Sequence, residues 1–391
     1  MRNKNIKTTL AAVALAASLA PLFAVAATTP LKYEAWLPFW KKQEGASEIA
    51  LRLLKFNGIS PFSYEVNPDG TLKDSLKIDE GFWPEWFRTV RALKVKIIPT
   101  VALLDGDAIY NLLSDAALRR QHATNIVSMV KAEKFDGVDV DYEDKSAATK
   151  PYFSLFINGL SSKLHAAGKT LICTIEGRTP VDSRFSVAPK DLTYANDYAA
   201  INKYCDEVRI MAYDQGTIDL KLDAAKGSSS LYMPVADPDW VEKVIQETTP
   251  TISRNKIMLG VPTYGYIYEV SWNNNLTTYK RLAAIAYQKA LDLAKAVGAT
   301  PLRNSAGEMS FTYATSTPMS VSAGLTFTVS STLPAGLWPA SSSSAVTRFV
   351  SFTDASAIND KIALAKKYKL RGVVFFKMDG ETDPALWTQT Q

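Results

Sequence analysis

Residues 136–143 read DGVDVDYE, and this run constrains the chain more than any other. Asp139, Asp141 and Glu143 stand two apart, with Val138, Val140 and Tyr142 interleaved. Side chains two apart in a strand share a face. As one buried strand the run therefore aims three carboxyl groups one way and apolar and aromatic groups the other. Like charges this close cannot all stay ionised out of water, so at least one should hold its proton near neutral pH, as a general acid must. The competing readings are a solvated acidic loop and a calcium site. A helix-like segment ending in KAEKF precedes the run, and the loop glycine of an EF-hand is missing.

After residue 30, short runs rich in β-branched and aromatic residues alternate with amphipathic stretches, the pattern of repeated βα units. Strands are expected near 33–39, 59–66, 95–102, 135–143, 170–176, 206–214, 257–265 and 372–378. Parallel strands in this number, joined by helices, imply a closed (β/α)8 TIM barrel. The stretch DAALRRQHATNIVSMVKAEK shows helical spacing of Leu118, Ile126, Met129 and Val130, with Asp115 at its start. About a hundred residues separate the last two strands, where a βα connection needs about thirty. A small α+β insertion is expected over 268–350, with YKRLAAIAYQKALDLAKAVG as a helical stretch, then GEMSFTY and a Ser/Thr-rich run over 315–344. It ends before a helix at INDKIALAKKYKL.

DGVDVDYE matches the DxxDxDxE signature of the family 18 glycoside hydrolases, the chitinase family, at every defined position, and the chain resembles that family over nearly its whole length after the N-terminal segment. In a barrel the working face lies at the C-terminal ends of the strands, which places Glu143 at the mouth and Asp141 and Asp139 progressively deeper. The expected arrangement is a relay in which Asp139 and Asp141 share a proton and Asp141 bonds to Glu143 or to the substrate. Asp136, out of phase, reads as a structural acceptor at the strand start. A conventional retaining glycosidase needs two carboxyl groups about 5 Å apart, whereas the run supplies one at the mouth. The resemblance implies substrate assistance instead: the 2-acetamido carbonyl of the sugar attacks the anomeric carbon while Glu143 protonates the leaving oxygen. The implied substrate is a β-1,4-linked N-acetylglucosamine polymer, chitin or its oligomers.

The sixth strand ends in MAYD, which resembles the family's MxYD motif. By that resemblance Tyr213 donates to the acetamido oxygen, Asp214 binds the sugar or steadies Glu143, and Met211 packs below the ring. GVPTYGY at the seventh strand makes Tyr264 a site-lining candidate or a core tyrosine. Sugar rings present apolar faces, so aromatics should line the cleft; Trp36 and Trp40 are candidates, with at least one open to a core role. Glu176 and Arg178 follow the fifth strand and read as substrate ligands or as solvated surface groups. Where the family places a tryptophan under the reacting sugar, this chain has Phe376, a smaller stacking surface without an indole donor. FSYEVNPDGTLK and LRGVVFFKMDGE also resemble spore-coat and cell-wall members that cleave peptidoglycan at N-acetylglucosamine. A peptidoglycan N-acetylglucosaminidase and a catalytically inactive sugar-binding barrel are the rival readings.

Composition limits the partners. The formal net charge of +5 is dispersed, and no dense basic run with interleaved aromatics appears beyond the N-terminus, so nucleic acid is not expected as a partner. No metal, nucleotide or other cofactor is expected, and the protein is expected to act as a monomer. MRNKNIK followed by an apolar run to Ala26, ending Ala24-Val25-Ala26, reads as an export signal over 1–27, with an uncleaved anchor as the alternative. A secreted or cell-envelope protein is the corresponding expectation, and the absence of a cysteine near the cleavage point argues against a lipoprotein. Cys173 and Cys205 are the two cysteines, open to pairing or to two buried free thiols. His122 and His165 read as surface helix positions.

Overall fold

The computed structural model describes residues 30–227, 230–273, 276–316, 326–330 and 346–389. The expected export signal, and most of the Ser/Thr-rich run, lie outside them. Among the described residues no helix is long and apolar enough to cross a membrane.

The barrel strands are β1 Lys32–Pro38, β2 Gly58–Val66, β3 Thr100–Leu103, β4 Gly137–Tyr142, β5 Thr170–Glu176, β6 Glu207–Met211, β7 Ile257–Pro262 and β8 Gly372–Phe376. Each pairs in parallel with its sequence neighbours, and β8 pairs β1 while β1 pairs β2, so the sheet closes as the βα pattern predicts. The third expected strand is split: Lys96–Ile97 pairs with β2 before β3 begins. Closure leaves β4 covered on both sides, and all its residues are buried. That burial is what makes its acidic face expensive and therefore informative.

The helix Ala116–Ala132 starts where Asp115 was expected to cap it, the Asp115 carboxylate accepting from the amides of Ala117 and Leu118. His122 within it departs from the surface reading. It is fully buried, its Nδ1 2.7 Å from the Gly70 carbonyl and its Nε2 bonded to the Tyr142 hydroxyl, with the ring 5.4 Å from Phe156 and nearly parallel to it. Gly70 has φ +77° and a Cβ there would meet the His122 Cβ at 3.0 Å, so a glycine lets the turn close over the imidazole. The polar neighbours in sequence lie on the helix's other face, which is why composition misplaced it. His165 is at the surface, 2.9 Å from Asp206. Cys173 on β5 and Cys205 just before β6 form a disulfide.

Between β7 and β8 the chain builds a separate antiparallel sheet in the order Leu302–Arg303, Met309–Thr315, Val346–Phe352, Tyr264–Asn273, Leu276–Ala286, Thr326–Ser330. One helix, Tyr287–Ala296, packs on it through Ala290 and Ala294, over a small core of Ile267, Leu282, Ile285, Phe311, Val350 and Phe352. The expectation of a helix throughout 279–298 is half right: Tyr279 to Ala286 belong to a strand. Its register shifts opposite Ile267 and Tyr268, leaving Leu282 as an extra, bulged residue. The buried positions Tyr279, Leu282 and Ile285 then fall three apart and imitate a helix.

Burial lowers the His122 imidazole to about 4 from an ordinary value near 6.5. The unfolded chain thus takes up a proton at His122 before the folded protein does, and stability is lost as pH falls from about 6.5 to about 4. Relative to His122→Gln, which cannot titrate, the wild type should lose roughly 3 kcal/mol over that window. Urea unfolding of both proteins at several pH values measures it, and parallel pH profiles would refute the assignment.

Candidate active site

One guanidinium organises the barrel interior below the mouth. Arg209 on β6, fully buried, reaches Glu34 on β1 at 2.5 Å, Asp139 on β4 at 3.1 Å, Glu207 on its own strand at 3.2 Å and the Ser60 hydroxyl on β2 at 2.7 Å. Burial would raise Glu34, but Arg209, a hydrogen bond with Glu207 and the Arg371 charge together outweigh it and hold that carboxyl below its ordinary range. Glu207 is pushed up to about 8 by burial and then by Glu34, with Arg371 at 2.8 Å as its second cation. A carboxyl held up beside one held down describes one proton between the pair.

Asp139 accepts from the Trp36 indole at 3.0 Å, Thr100 at 2.8 Å and Thr174 at 2.7 Å in addition to Arg209. Its oxygens are thus occupied by donors from β1, β3, β5 and β6. Three of the four donors converge on Oδ2, and Thr174 alone meets Oδ1. Asp141, one layer higher, has an Oδ1 with no hydrogen-bond partner, and burial, then Glu143 and Asp139, raise it well above the ordinary range. Asp136 accepts from the Ile97 amide at 2.8 Å, as a structural acceptor should.

Glu143 follows β4 at the mouth and is partly exposed. Burial, then the charges of Glu176 and Asp144, push it up to about 7, with Lys145 acting the other way. It is the carboxyl group at the mouth that can hold a proton at neutral pH and release it nearby. Two other acids share the mouth. Asp214, in the left-handed region at φ +56°, accepts from the Tyr264 hydroxyl at 2.6 Å and the Tyr266 hydroxyl at 2.7 Å. Glu176 accepts from Asn196 at 2.6 Å.

The aromatics form a floor. Phe376 at the end of β8 stacks on Tyr213 with centroids 5.2 Å apart and planes 10° apart, and meets Tyr264 and Trp36 edge to face. Of the two tryptophans, Trp36 takes the core role that the sequence left open to one of them. It is 1% exposed, beneath Phe376, with its indole committed to Asp139 and its ring 5.1 Å from the Arg209 guanidinium. Trp40, 48% exposed, stays at the rim against Phe62. Tyr264 is buried and holds Asp214, while Met211 is half-buried against the core. Gly260 on β7 makes room for Tyr213: a Cβ there would meet the Ile210 carbonyl at 2.6 Å and the Tyr213 ring at 2.9 Å. Arg178 lies between the rings of Tyr194 and Tyr198, 4.0 and 3.7 Å from their centroids, on the wall of a cavity beside Glu143. Arg209, Glu34, Tyr266 and Lys145 escaped the sequence reading. The signal for the first was an arginine between Val208 and Ile210 in a buried strand, where a charge needs a partner.

Removing the guanidinium while keeping its bulk, in Arg209→Met, leaves Glu34, Asp139 and Glu207 facing one another without their common cation. A loss of about 3 to 5 kcal/mol is expected, as for one-sided removal of a buried ion pair, read by denaturant unfolding. A loss under about 1 kcal/mol, the range of an exposed pair, would show the network to be dispensable.

The family model for glycosyl hydrolases family 18 matches residues 62–381. The "Uncharacterized glycosylase YvbX" of Bacillus subtilis is 25% identical over 54% of this chain and 55% of its own length. The chain spans about half the length of the curated relatives it matches. Among solved structures, the Bacillus megaterium spore cortex-lytic enzyme SleL superposes with a TM-score of 0.69 at 20% identity, covering 92% of this chain and 73% of that one. A chitinase from Chromobacterium violaceum gives 0.68 at 20% identity, covering 92% and 97%. These two likenesses speak for the fold. With most of the chain matched by the family model and an acidic strand meeting its signature, the chain belongs to glycosyl hydrolases family 18.

Proposed function

We propose that the protein is a retaining glycoside hydrolase acting on β-1,4-linked N-acetylglucosamine polymers, with Glu143 as acid and then base. The observation that carries this is Glu143 itself, at the barrel mouth with its carboxyl pushed up to about 7 and two deeper acids behind it. In the proposed cycle, protonated Glu143 gives its proton to the glycosidic oxygen as the bond to the anomeric carbon breaks. The sugar's acetamido oxygen closes on that carbon to form an oxazolinium ion. Water then attacks, giving its proton back to Glu143, and the ring opens with the original configuration restored. The neighbouring acids are held in place by hydrogen bonds: an Asp214 oxygen accepts from two tyrosine hydroxyls and a Glu176 oxygen from an asparagine. The unpartnered Asp141 oxygen suits the acetamido N–H, and Tyr213 the acetamido carbonyl.

The basic and apolar residues at the N-terminus, together with the Cys173–Cys205 disulfide, support a place outside the reducing cytosol.

Glu143→Gln should fold and bind N-acetylglucosamine oligomers but lose about 10²- to 10⁴-fold in turnover. Near-normal turnover rules out the assignment. Because the acid must enter the cycle protonated, kcat/KM for the free enzyme should fall as pH rises through about 7. An alkaline limb absent up to pH about 9, two units above that value, would contradict the protonation state. Proton NMR of the first-formed products should show the retained anomer; the inverted one would exclude substrate assistance.

A further inference from the structure

We propose that the face of the barrel opposite the mouth is a docking surface for an anionic lipid membrane. The protein then lies on a bilayer with Glu143 turned away from it. The proposal concerns where the protein sits and is independent of which glycan it cleaves.

The cations on this face recur at one structural position. The helices Trp83–Ala92, Ala116–Ala132 and Ala355–Lys367 lead towards β3, β4 and β8, and each ends in the same turn. The second residue beyond each helix stands in the left-handed region: Lys94 at φ +60°, Lys134 at +55° and Lys369 at +53°. The next amide bonds back into the helix, Val95 to the Val90 carbonyl, Phe135 to Val130 and Leu370 to Ala365. Glycine is the residue this position favours. The helix Lys150–Ala166 follows that rule, with Gly168 at φ +68° and Lys169 directly after it. A lysine inside the last turn serves the helix dipole without the strain of a left-handed backbone, so local structure does not account for the other three. Lys94, Lys134 and Lys369 are exposed and make no ion pair among the described residues.

Because every βα unit returns the chain to the same end of the barrel, charges dispersed along the sequence meet there. Lys32 opens β1, and Lys96 opens the short strand before β3. Burial and then the Arg371 charge hold the Lys32 ammonium below its ordinary value and Lys96 adds to this, with Glu34 and Glu207 acting the other way. A cavity of about 440 Å³ is lined by Lys131, Lys134, Lys163 and Lys169 over Val127 and two alanines, and by no acid. The acids at this end are engaged: Asp206 meets His165, Asp136 the Ile97 amide, and Glu207 the guanidinium groups of Arg209 and Arg371.

Three features favour a membrane over a linear polyanion. Leucines project near the cations: Leu54, 83% exposed in the turn that leads into β2, and Leu93, 43% exposed beside Lys94. Apolar side chains beside lysines suit the boundary between headgroups and acyl chains, whereas a soluble polyanion offers the leucines nothing. Cations at one position of successive units lie at one level of the barrel axis, which matches a flat surface. The chain also enters β1 from this face, at Lys32, shortly after the apolar run that ends at Ala26.

The test is a lysine footprint on the full chain. Acetylation of each lysine by a soluble succinimidyl ester is followed by mass spectrometry in three conditions: protein alone, with phosphatidylcholine vesicles, and with vesicles that also contain phosphatidylglycerol. Reading single residues separates the face from any binding by the N-terminal residues. The anionic vesicles should slow Lys94, Lys134 and Lys369 by about threefold or more, and about 0.5 M salt should remove the protection. Lys73, paired with Glu65 at the end of β2, and Lys289, near Glu381 beyond β8, mark the mouth end and should not change. The triple variant Lys94→Gly, Lys134→Gly, Lys369→Gly should melt no earlier than the wild type, because glycine relieves the left-handed strain. Its remaining Lys96 and Lys169 should lose about half or more of their protection. Equal protection by neutral vesicles, or none by anionic ones, overturns the proposal. So does a triple variant that keeps the protection in full. Equal protection by free polyphosphate at the same phosphate concentration assigns the face to a soluble polyanion and overturns the membrane.

Discussion

A single guanidinium, buried without access to water, ties together four strands of the barrel. Arg209 reaches acidic or hydroxyl partners on β1, β2, β4 and β6, strands far apart in sequence. Such a knot is weak evidence for stability taken alone, because desolvating the ions offsets much of their attraction. What it does is set positions. Asp139, filled by donors from four strands, becomes a fixed point, and the strand that carries it also carries Asp141 and Glu143 on the same face. The orientation of the mouth follows from the saturation of the base.

From base to mouth the acids are progressively less satisfied. Asp139 has four donors, Asp141 an oxygen with no partner, and Glu143 is partly open to solvent. Burial and the neighbouring acids raise both Asp141 and Glu143, with Lys145 acting the other way on each, and Glu143 stands at about 7. The inserted sheet participates too. Tyr264 and Tyr266 open its first strand and fix Asp214 at the mouth, so the insertion begins as part of the site wall.

Much of this was legible in the chain. The spacing of Asp139, Asp141 and Glu143 places them on one face because strand geometry has a period of two, and the barrel follows from the repetition of βα units. The Asp136 acceptor and the Asp115 cap were read from local chemistry that depends on backbone neighbours alone. The misreadings share a different cause. His122 sits among polar neighbours yet is buried, because burial depends on the Gly70 turn and Tyr142, from distant parts of the chain. Tyr279 and Leu282 looked helical because a bulge shifts a strand's inward face.

By itself the sequence determined the strand that carries the acids, their common face, the barrel that must bury it and the family to which the motif belongs. Local geometry and hydrophobic period depend on near neighbours, and those are written in order along the chain. Only the tertiary structure decided that Arg209 meets Glu34 and Asp139, that Trp36 lies under Phe376 and away from the cleft, that Cys173 and Cys205 are paired, and that Lys145 is buried beside Glu143 without a hydrogen bond. Each is a contact between side chains brought together by closing the barrel or folding its loops over it. Their energies depend on burial and distance, which the order of residues along the chain does not specify.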